Sequence, residues 1–242
     1  KALYWHWSPN YGWKMNLPIS GWNEALIAYV LAASSPTHPI SPEVYHSGWA
    51  RLGKMKNGKL YCGIKLPLGP PYGGPLFLSH YSFLGLDPRG LRDRYADYWQ
   101  QNVNHTLINW SHCMKKGYGP AWGLTSSDTP KGYAAHSPTE DRGVITPTAA
   151  LSAIVYTPQK SMKALQHFKK TMDGRLYGPL GFVDAYQPRS GWIAKDQLAI
   201  DQGPIIIMIE NYRSGLFWKL FMSCPEIIKG LQRLSFERVT NE

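Results

Sequence analysis

The feature that most constrains the fold of this chain is an apolar run near its N-terminus. Every residue from Ala25 to Ala33 is apolar, and Ser20 is a suitable N-cap for a helix that contains them. Such a helix is too short to cross a bilayer, which takes about 20 residues, so it is predicted to lie in the core with neighbours on every side. At its start, Glu24 either complements the positive end of the helix dipole or is a carboxylate held at the floor of an aromatic cleft.

The rest of the chain predicts more helices, joined by turns and long loops. A second, nearly all-apolar helix is predicted from about Pro204 to Ser223, and two such helices indicate an inner ring wrapped by an outer ring. Asn57-Gly58 and the alternation that follows predict a β-hairpin within residues 56–66. Residues 117–147 form the longest irregular stretch. The other predicted helices begin at residue 41 or cover about 91–116, 146–156, 157–172 and 225–234.

Composition argues against several classes of protein. The net charge is +10, but the 26 basic residues are scattered and form no stripe, so nucleic-acid binding is not predicted. Three distant cysteines without a CxxC pair argue against a cysteine-based metal site or a disulfide scaffold, and a single disulfide would leave one thiol free. No HxH, HExxH or glycine-rich nucleotide motif occurs, and no membrane span, so neither a metal nor a cofactor is expected. The 10 Trp and 15 Tyr residues suit stacking on sugar rings or bases.

Seven carboxylates lie in aromatic or glycine-rich segments rather than on polar faces. Glycoside hydrolysis needs two such groups, one protonated to assist the leaving oxygen and one ionised to attack or to activate water. Structural interpretations stand beside this one: Asp201 as an N-cap, and Glu210 with Arg213 as an ion pair. Asp128 also fits a turn, and the Glu140-Asp141 pair fits a solvated loop tip. The seven are Glu24, Asp128, Glu140, Asp141, Asp184, Asp201 and Glu210.

Four segments resemble the bacterial "putative glucoamylase" domain. They are SGWNEALIAYVLAASSPTHPI, PLFLSHYSFLGLDPRG, GLTSSDTPKGYAAHSPTEDRGVITPTAALSAIVYTP and LAIDQGPIIIMIENYRSGLFWKLFMSCPE. That domain includes the endo-β-1,2-glucanases of glycoside hydrolase family 144 and is related to the terminal region of cyclic β-1,2-glucan synthases. The resemblance implies a mainly α, (α/α)6 toroid with a cleft at one end. Residues 1–242 would form about its C-terminal half, as one catalytic-type domain, with the N-terminal half of the same domain as partner.

The same resemblance implies a function. It implies hydrolysis of a β-glucan by an inverting endo-β-1,2-glucanase that is periplasmic or secreted. By its position in the WNE motif, Glu24 matches an acidic residue of the family's cleft and is the first candidate for catalysis. Two alternatives are an α-glucan exo-hydrolase on the same fold and a non-catalytic carbohydrate-binding fragment. The other candidates are Glu140 and Asp128 for catalysis and Trp22, Trp122, Tyr133, His136 and Asp184 for substrate binding.

Overall fold

The computed structural model describes residues 1–239, and helices dominate this part of the chain. The mainly α fold expected from the sequence is confirmed. The α-helices are α1 (Leu26–Ser34), α2 (Pro42–Val44), α3 (Tyr98–Lys115), α4 (Pro147–Ser152), α5 (Pro158–Phe168), α6 (Ala199–Arg213), α7 (Leu216–Met222) and α8 (Pro225–Arg233). The strands, each of two residues, are β1 (Leu60–Tyr61), β2 (Ile64–Lys65), β3 (Leu91–Arg92), β4 (Tyr177–Gly178), β5 (Gly181–Phe182), β6 (Tyr186–Gln187), β7 (Trp192–Ile193) and β8 (Glu237–Arg238).

Helix α1 begins six residues after Ser20, so the predicted Ser20 cap is wrong. The Ser20 hydroxyl instead donates to the backbone oxygen of Gly48. The first backbone N–H groups of the helix find other partners: that of Ala25 donates to Asn23 Oδ1 at 2.8 Å, and that of Ile27 to Ser82 Oγ at 3.0 Å. These contacts satisfy donors that a helix start leaves free, and they fix the direction in which α1 leaves the preceding loop.

Two other predicted helices are shorter or divided. Helix α3 starts at Tyr98, because Asp97 caps it through a hydrogen bond from the backbone of Gln100. Residues 91–92 belong to β3, which pairs with β8. The helix predicted over 204–223 starts earlier, at Ala199, and is broken after Arg213. Gly215 has a φ of +69° there, a left-handed conformation that ends α6 and starts α7 in a new direction.

The predicted hairpin is present, but its turn is elsewhere. Strands β1 and β2 pair with Tyr61 opposite Ile64, so Cys62 and Gly63 form the turn. Both have positive φ, +53° and +80°, as a two-residue type I′ turn requires. The predicted turn at Asn57-Gly58 lies outside this hairpin. There the side-chain oxygen of Asn57 accepts from the backbone N–H of Lys59.

The helices pack in two groups around one core. Helix α1 packs along α8, and the Arg233 guanidinium donates to the backbone oxygen of Ala33. Helix α4 packs between α5 and α6. Three fully buried tryptophans, Trp49, Trp122 and Trp218, are the largest side chains of this core.

The two apolar helices are not covered on every side, contrary to expectation. Leu31 on α1 is 50% exposed, and α6 presents Ile200, Ile206 and Ile209 to solvent. Two apolar grooves flank α6. The first, of about 550 Å³, runs between α1, α6, α7 and α8. The second, of about 470 Å³, lies between α5, α6 and the β4–β5 hairpin.

Candidate active site

A pair of buried carboxyl groups lies at the centre of the candidate site. Asp184 follows β5, and its Oδ2 accepts the backbone N–H of Asp128 at 2.6 Å. Asp201 lies in the first turn of α6, and its Oδ1 accepts the phenol of Tyr81 at 3.2 Å. Both side chains are almost completely buried, at 0% and 6% exposure. The pair therefore joins an irregular loop, a hairpin connection and a helix start.

The two carboxyl groups hold a proton between them. Burial raises the pKa of Asp184 to about 7, and the nearby charges of Asp201 and Asp128 add to this effect. Burial also raises the pKa of Asp201, whereas hydrogen bonds from Asp184 and Tyr81 lower it. Because the carboxyl groups hydrogen-bond each other, one is protonated when the other is ionised. A carboxylic acid that keeps its proton near neutral pH is the kind of group that glycosidases use.

Two further carboxyl groups, Glu24 and Asp128, surround two tyrosines beside this pair. The pKa of Tyr81 is raised by burial and by the charges of Asp201 and Glu24. That of Tyr133 is raised by burial and by three aspartates, Asp201, Asp184 and Asp128. The charge of each of the four carboxyl groups therefore acts on one or both of these phenols. Glu24 and Asp128 are half-buried, which leaves them within reach of a ligand.

Helix starts lie at several members of this group, here called the carboxyl cluster (Glu24, Asp128, Asp184 and Asp201). Asp201 opens α6, and Thr148 and Ala149 near the start of α4 line the same small cavity as Asp201 and Tyr81. Glu24 directly precedes the start of α1, and its backbone oxygen accepts the hydroxyl of Ser82. The positive ends of these helices favour negative charge. A cluster that keeps one proton can thus also hold ionised carboxylates.

The structure brings together some of the predicted site residues and separates others. Glu24, Asp128, Asp184 and Tyr133 belong to one group. Trp22 stacks in the core against Tyr98 and Phe83, with ring centroids 6.3 Å from each, and is 7% exposed. Trp122 is fully buried, with its indole N–H 3.5 Å from the backbone oxygen of Lys160. Neither tryptophan has a face free for a sugar, so the structure assigns both to the core.

Glu140 and His136 lie apart from the carboxyl cluster. The Glu140 side chain is exposed on the irregular loop, and it is not among the charges that act on Tyr81 or Tyr133. His136 is 1% exposed, and burial, with the Arg142 charge, lowers its pKa to about 4. It is a neutral, buried imidazole at neutral pH. The structure gives no argument for placing either residue against the substrate.

Two members of the site lie outside the residues chosen for it from the sequence: Tyr81 is not singled out, and Asp201, one of the seven carboxylates, also fits an N-cap. Leu198 occupies the N-cap position and Asp201 makes no capping hydrogen bond, so the capping interpretation is wrong. A signal was present: Asp201 and Glu24 are the acids at the starts of the two most apolar helices. An acid in that context is buried by its own helix and needs a partner.

Asp141, beside Glu140, stabilises the irregular loop. It accepts hydrogen bonds from His112 Nε2 at 2.8 Å, Tyr118 at 2.8 Å and the backbone of Gly143 at 2.9 Å. Burial would raise the pKa of Asp141, but these hydrogen bonds lower it overall. The ionised form therefore stabilises the fold above the pKa of the unfolded carboxyl, about 3.9, and this contribution is lost as pH falls through the folded value.

Asp141→Asn is expected to lower the free energy of unfolding by about 1–3 kcal/mol at pH 7, because charged hydrogen bonds are lost. At pH 3 the difference from the unsubstituted protein should shrink, because this pH lies below the pKa of the unfolded carboxyl, where the contribution of the ionised form is already being lost. Urea unfolding of the full-length protein at the two pH values measures this. An equal difference at both pH values would show that the charge of Asp141 contributes nothing.

Three further properties concern residues 1–239. Within them, no group of three or more His, Cys, Asp and Glu side chains is placed to hold a metal ion. Cys62, Cys113 and Cys224 are all free thiols. No helix of this part combines the length and apolarity needed to cross a membrane.

The known proteins and solved structures that this chain resembles agree with one another. An exo β-1,2-glucooligosaccharide sophorohydrolase (non-reducing end) of Parabacteroides distasonis is 42% identical over 96% of this chain, which spans 36% of that protein. A solved structure from Bacteroides uniformis, described as a "putative glucoamylase", superposes with a TM-score of 0.95 at 58% identity. An endo-β-1,2-glucanase from Chitinophaga pinensis, in complex with sophorotriose and glucose, gives 0.94 at 56% identity.

The extent of these matches is also informative. The two superpositions cover 98% of this chain but 60% and 59% of the solved chains. This chain therefore spans less than two thirds of the length of these relatives. The family model described as "Putative glucoamylase" matches residues 16–225, which include the whole carboxyl cluster. From this match and the shared fold, we conclude that the chain belongs to the "putative glucoamylase" family.

Proposed function

We propose that this protein is a glycoside hydrolase that cleaves β-1,2-linked glucan in an endo fashion, with its chemistry at the carboxyl cluster. The observation that carries the proposal is the carboxyl cluster itself, in which the half-buried Glu24 and Asp128 lie beside the buried Asp184–Asp201 pair. Glycosidic hydrolysis needs one protonated and one ionised carboxyl group. The names of the Parabacteroides and Chitinophaga relatives, both enzymes of β-1,2-glucans, support this choice of substrate.

Glu24 and Asp128 are proposed as the groups that contact the substrate, because they are the two of the cluster that are not fully buried. One transfers its proton to the glycosidic oxygen, and the C1–O bond breaks with its electron pair going to that oxygen. A water molecule attacks C1 from the opposite face while the other carboxylate accepts its proton. The products are two shorter glucans, and the new reducing end has the inverted, α configuration.

Asp184 and Asp201 are proposed to hold the two reacting residues in position. Asp184 holds the loop at Asp128 through a backbone hydrogen bond, and Asp201 holds Tyr81, which lies beside Glu24. Both proposed reacting groups are thus positioned by the buried pair. No step of this mechanism requires a metal or a cofactor.

The N-terminal loop supplies surfaces that suit a polysaccharide. Residues 4–18 fold back on themselves, with backbone hydrogen bonds from Trp5 to Leu17 and in both directions between Ser8 and Gly12. Trp7 and Tyr11 on this loop are 60% and 70% exposed. Exposed indole and phenol rings stack on sugar faces, and this loop leads directly to Glu24. We propose that it forms one wall of the cleft.

The remaining helices of the toroid are the proposed partner of this chain. The relatives' chains are longer, and the two apolar grooves beside α6, with exposed Leu31, are surfaces that helices of the same domain would cover. Residues 1–242 would then be one part of a single catalytic domain. A polymeric glucan has to be cut before uptake, so we place the protein in the periplasm or outside the cell.

The test is incubation of the full-length protein with linear β-1,2-glucan and, in parallel, with starch. New reducing ends are expected only from the β-1,2-glucan, first as mid-sized fragments, with the α-anomer seen first by NMR. Release of glucose from starch would support an α-glucan exo-hydrolase instead. Binding of glucan by calorimetry without new reducing ends would indicate a non-catalytic carbohydrate-binding protein.

A further inference from the structure

A short buried segment, residues 79–84, contacts both α1 and α6 and is held in place by its backbone. Side chains from three distant parts of the chain donate to its carbonyl oxygens: Tyr156 to Ser79 at 2.9 Å, Trp218 to Phe83 at 2.8 Å and Asn211 to Leu84 at 3.0 Å. A segment fastened at both ends in this way is a rigid base for the side chains that it carries.

Two neighbouring side chains of this segment reach two different members of the carboxyl cluster. The Ser82 hydroxyl donates to the backbone oxygen of Glu24 and accepts the backbone N–H of Ile27 at 3.0 Å. The Tyr81 hydroxyl donates to Oδ1 of Asp201 at 3.2 Å. Since consecutive Cα atoms are about 3.8 Å apart, the starts of α1 and α6 are joined through a single peptide unit.

The same series of contacts continues from Asp201 to Asp128. Asp201 and Asp184 hydrogen-bond each other, and Oδ2 of Asp184 accepts the backbone N–H of Asp128 at 2.6 Å. The described residues supply no other donor to Oδ1 of Asp184 or Oδ2 of Asp201, so the proton that the pair shares satisfies them. Glu24 and Asp128 are thus the two ends of one series of contacts, here called the linkage (Glu24, Ser82, Tyr81, Asp201, Asp184 and Asp128).

We propose that Tyr81 and Ser82 are positioning residues that set the separation of Glu24 and Asp128 across the substrate. This inference rests on the proposed function of these two carboxyl groups. In hydrolysis with inversion the two groups lie about 6.5–9.5 Å apart, which leaves room for the attacking water. A displacement of about 1 Å costs up to about 10²-fold in rate, so the groups that fix this separation govern kcat.

Tyr81→Phe in the full-length protein breaks the linkage without removing a carboxyl group. The ring should stay in place, because it stacks on Phe77 with centroids 5.6 Å apart. We expect kcat for linear β-1,2-glucan to fall by about 10–100-fold and KM to change by less than about threefold, since the carboxyl groups move and the sugar-binding surfaces do not.

The matched control is Tyr156→Phe. It removes a buried phenol hydroxyl that donates to the same segment, at Ser79, but that bonds no carboxyl group in the described part of the chain. This variant should unfold at a lower urea concentration, because buried hydrogen bonds are lost, while kcat stays within about threefold of the unsubstituted value. A merely structural role for Tyr81 would make the two variants alike.

A second readout needs no substrate. The Tyr81 hydroxyl stabilises the ionised form of Asp201, so in Tyr81→Phe the first ionisation of the Asp184–Asp201 pair should move to higher pH by about 0.5–1 unit. Carboxyl titration by ¹³C NMR measures this, and Tyr156→Phe should leave the curve unchanged. The titratable groups that face Asp201 and Tyr81, and must be assigned, are Asp184, Asp128, Glu24, Tyr133 and His80.

Ser82→Ala breaks the linkage at the next residue. Combined with Tyr81→Phe, it should add little to the larger of the two single losses of kcat, because residues that act as a unit are not additive. A kcat of Tyr81→Phe within about threefold of the unsubstituted value, or losses that multiply in the double variant, overturn the inference. If Ser82→Ala does not fold, Tyr81→Phe and its control decide.

Failure of the proposed function gives a different result. An unsubstituted protein that cleaves no glucan refutes that function, and the titration then decides by itself whether Tyr81 holds Asp201. A shift in Tyr81→Phe supports this contact, and unchanged curves refute it.

Discussion

Glu24→Gln is expected to lower kcat for hydrolysis of linear β-1,2-glucan by about 10³-fold or more in the full-length protein. Glutamine keeps the size and shape of the side chain but can neither give nor take a proton. General acid–base catalysis by a positioned carboxyl group contributes about 10²–10⁴-fold, and no neighbouring group lies where Glu24 does. The measurement is the initial rate of release of reducing ends. A rate within threefold of the unsubstituted protein would remove Glu24 from the mechanism.

A control variant and a second substrate make this experiment more specific. Glu140→Gln, on an exposed loop outside the carboxyl cluster, should change the rate by less than about threefold, as expected for a surface substitution. A substrate with an activated aryl leaving group needs no proton donor. It should therefore restore the rate of whichever variant, Glu24→Gln or Asp128→Asn, lacks the general acid. The variant that stays slow has lost the general base.

Gly73→Ala is expected to lower the free energy of unfolding by about 2–5 kcal/mol. A Cβ at this position would overlap Cδ2 of the His105 ring. The ring cannot move aside easily, because it is buried and bonded to Ser79 Oγ at 2.7 Å and to the Gly74 oxygen at 3.0 Å. Overpacking of this kind costs about 1–3 kcal/mol, and the positive φ of +96° adds about 1–2 kcal/mol for a residue other than glycine.

The matched control is Gly58→Ala. Gly58 also has a positive φ, +74°, but an added Cβ would have nothing within 4 Å. This variant should therefore show the backbone strain alone, about 1–2 kcal/mol. Both are measured by urea unfolding at equilibrium on the full-length protein. If the two variants lose the same stability, the contact with His105 is not what makes Gly73 necessary.

Glu24 and Asp201 illustrate how far the sequence can define the site. Both are acids at the start of an apolar helix, and the family resemblance makes Glu24 the first candidate. Asp201 also fits a cap, which is the commoner role of an aspartate before a helix. Its actual partner, Tyr81, is 120 residues away in the chain. A contact of that range leaves no mark in local sequence pattern.

The aromatic residues show the same limit in another way. Trp22 and Trp7 are both flanked by polar residues and turns, so their local sequences do not separate them. The structure buries Trp22 against Tyr98 and exposes Trp7. Which tryptophan stacks in the core depends on what packs over it, and that is decided by distant helices. Composition therefore predicted a sugar-binding surface but not its members.

The presence of the helices is easier to predict from the sequence than the residues at which they begin and end. Most of the predicted helices are present, since apolar periodicity reports burial along a whole helix. The start of α3 was misplaced because β3, just before it, pairs with β8 near the other end of the chain. Likewise, the break between α6 and α7 depends on one glycine in a left-handed conformation. Such end points are set by single residues and remote partners.

The packing of α1 along α8 has a consequence for how the chain reaches its native state. The contact between Arg233 and Ala33 joins residues 200 positions apart. Closing so long a segment costs chain entropy before either helix gains burial, and folds rich in such distant contacts form slowly. Helix α1 therefore gains its packing against α8 only after the ribosome has synthesised nearly all of this sequence.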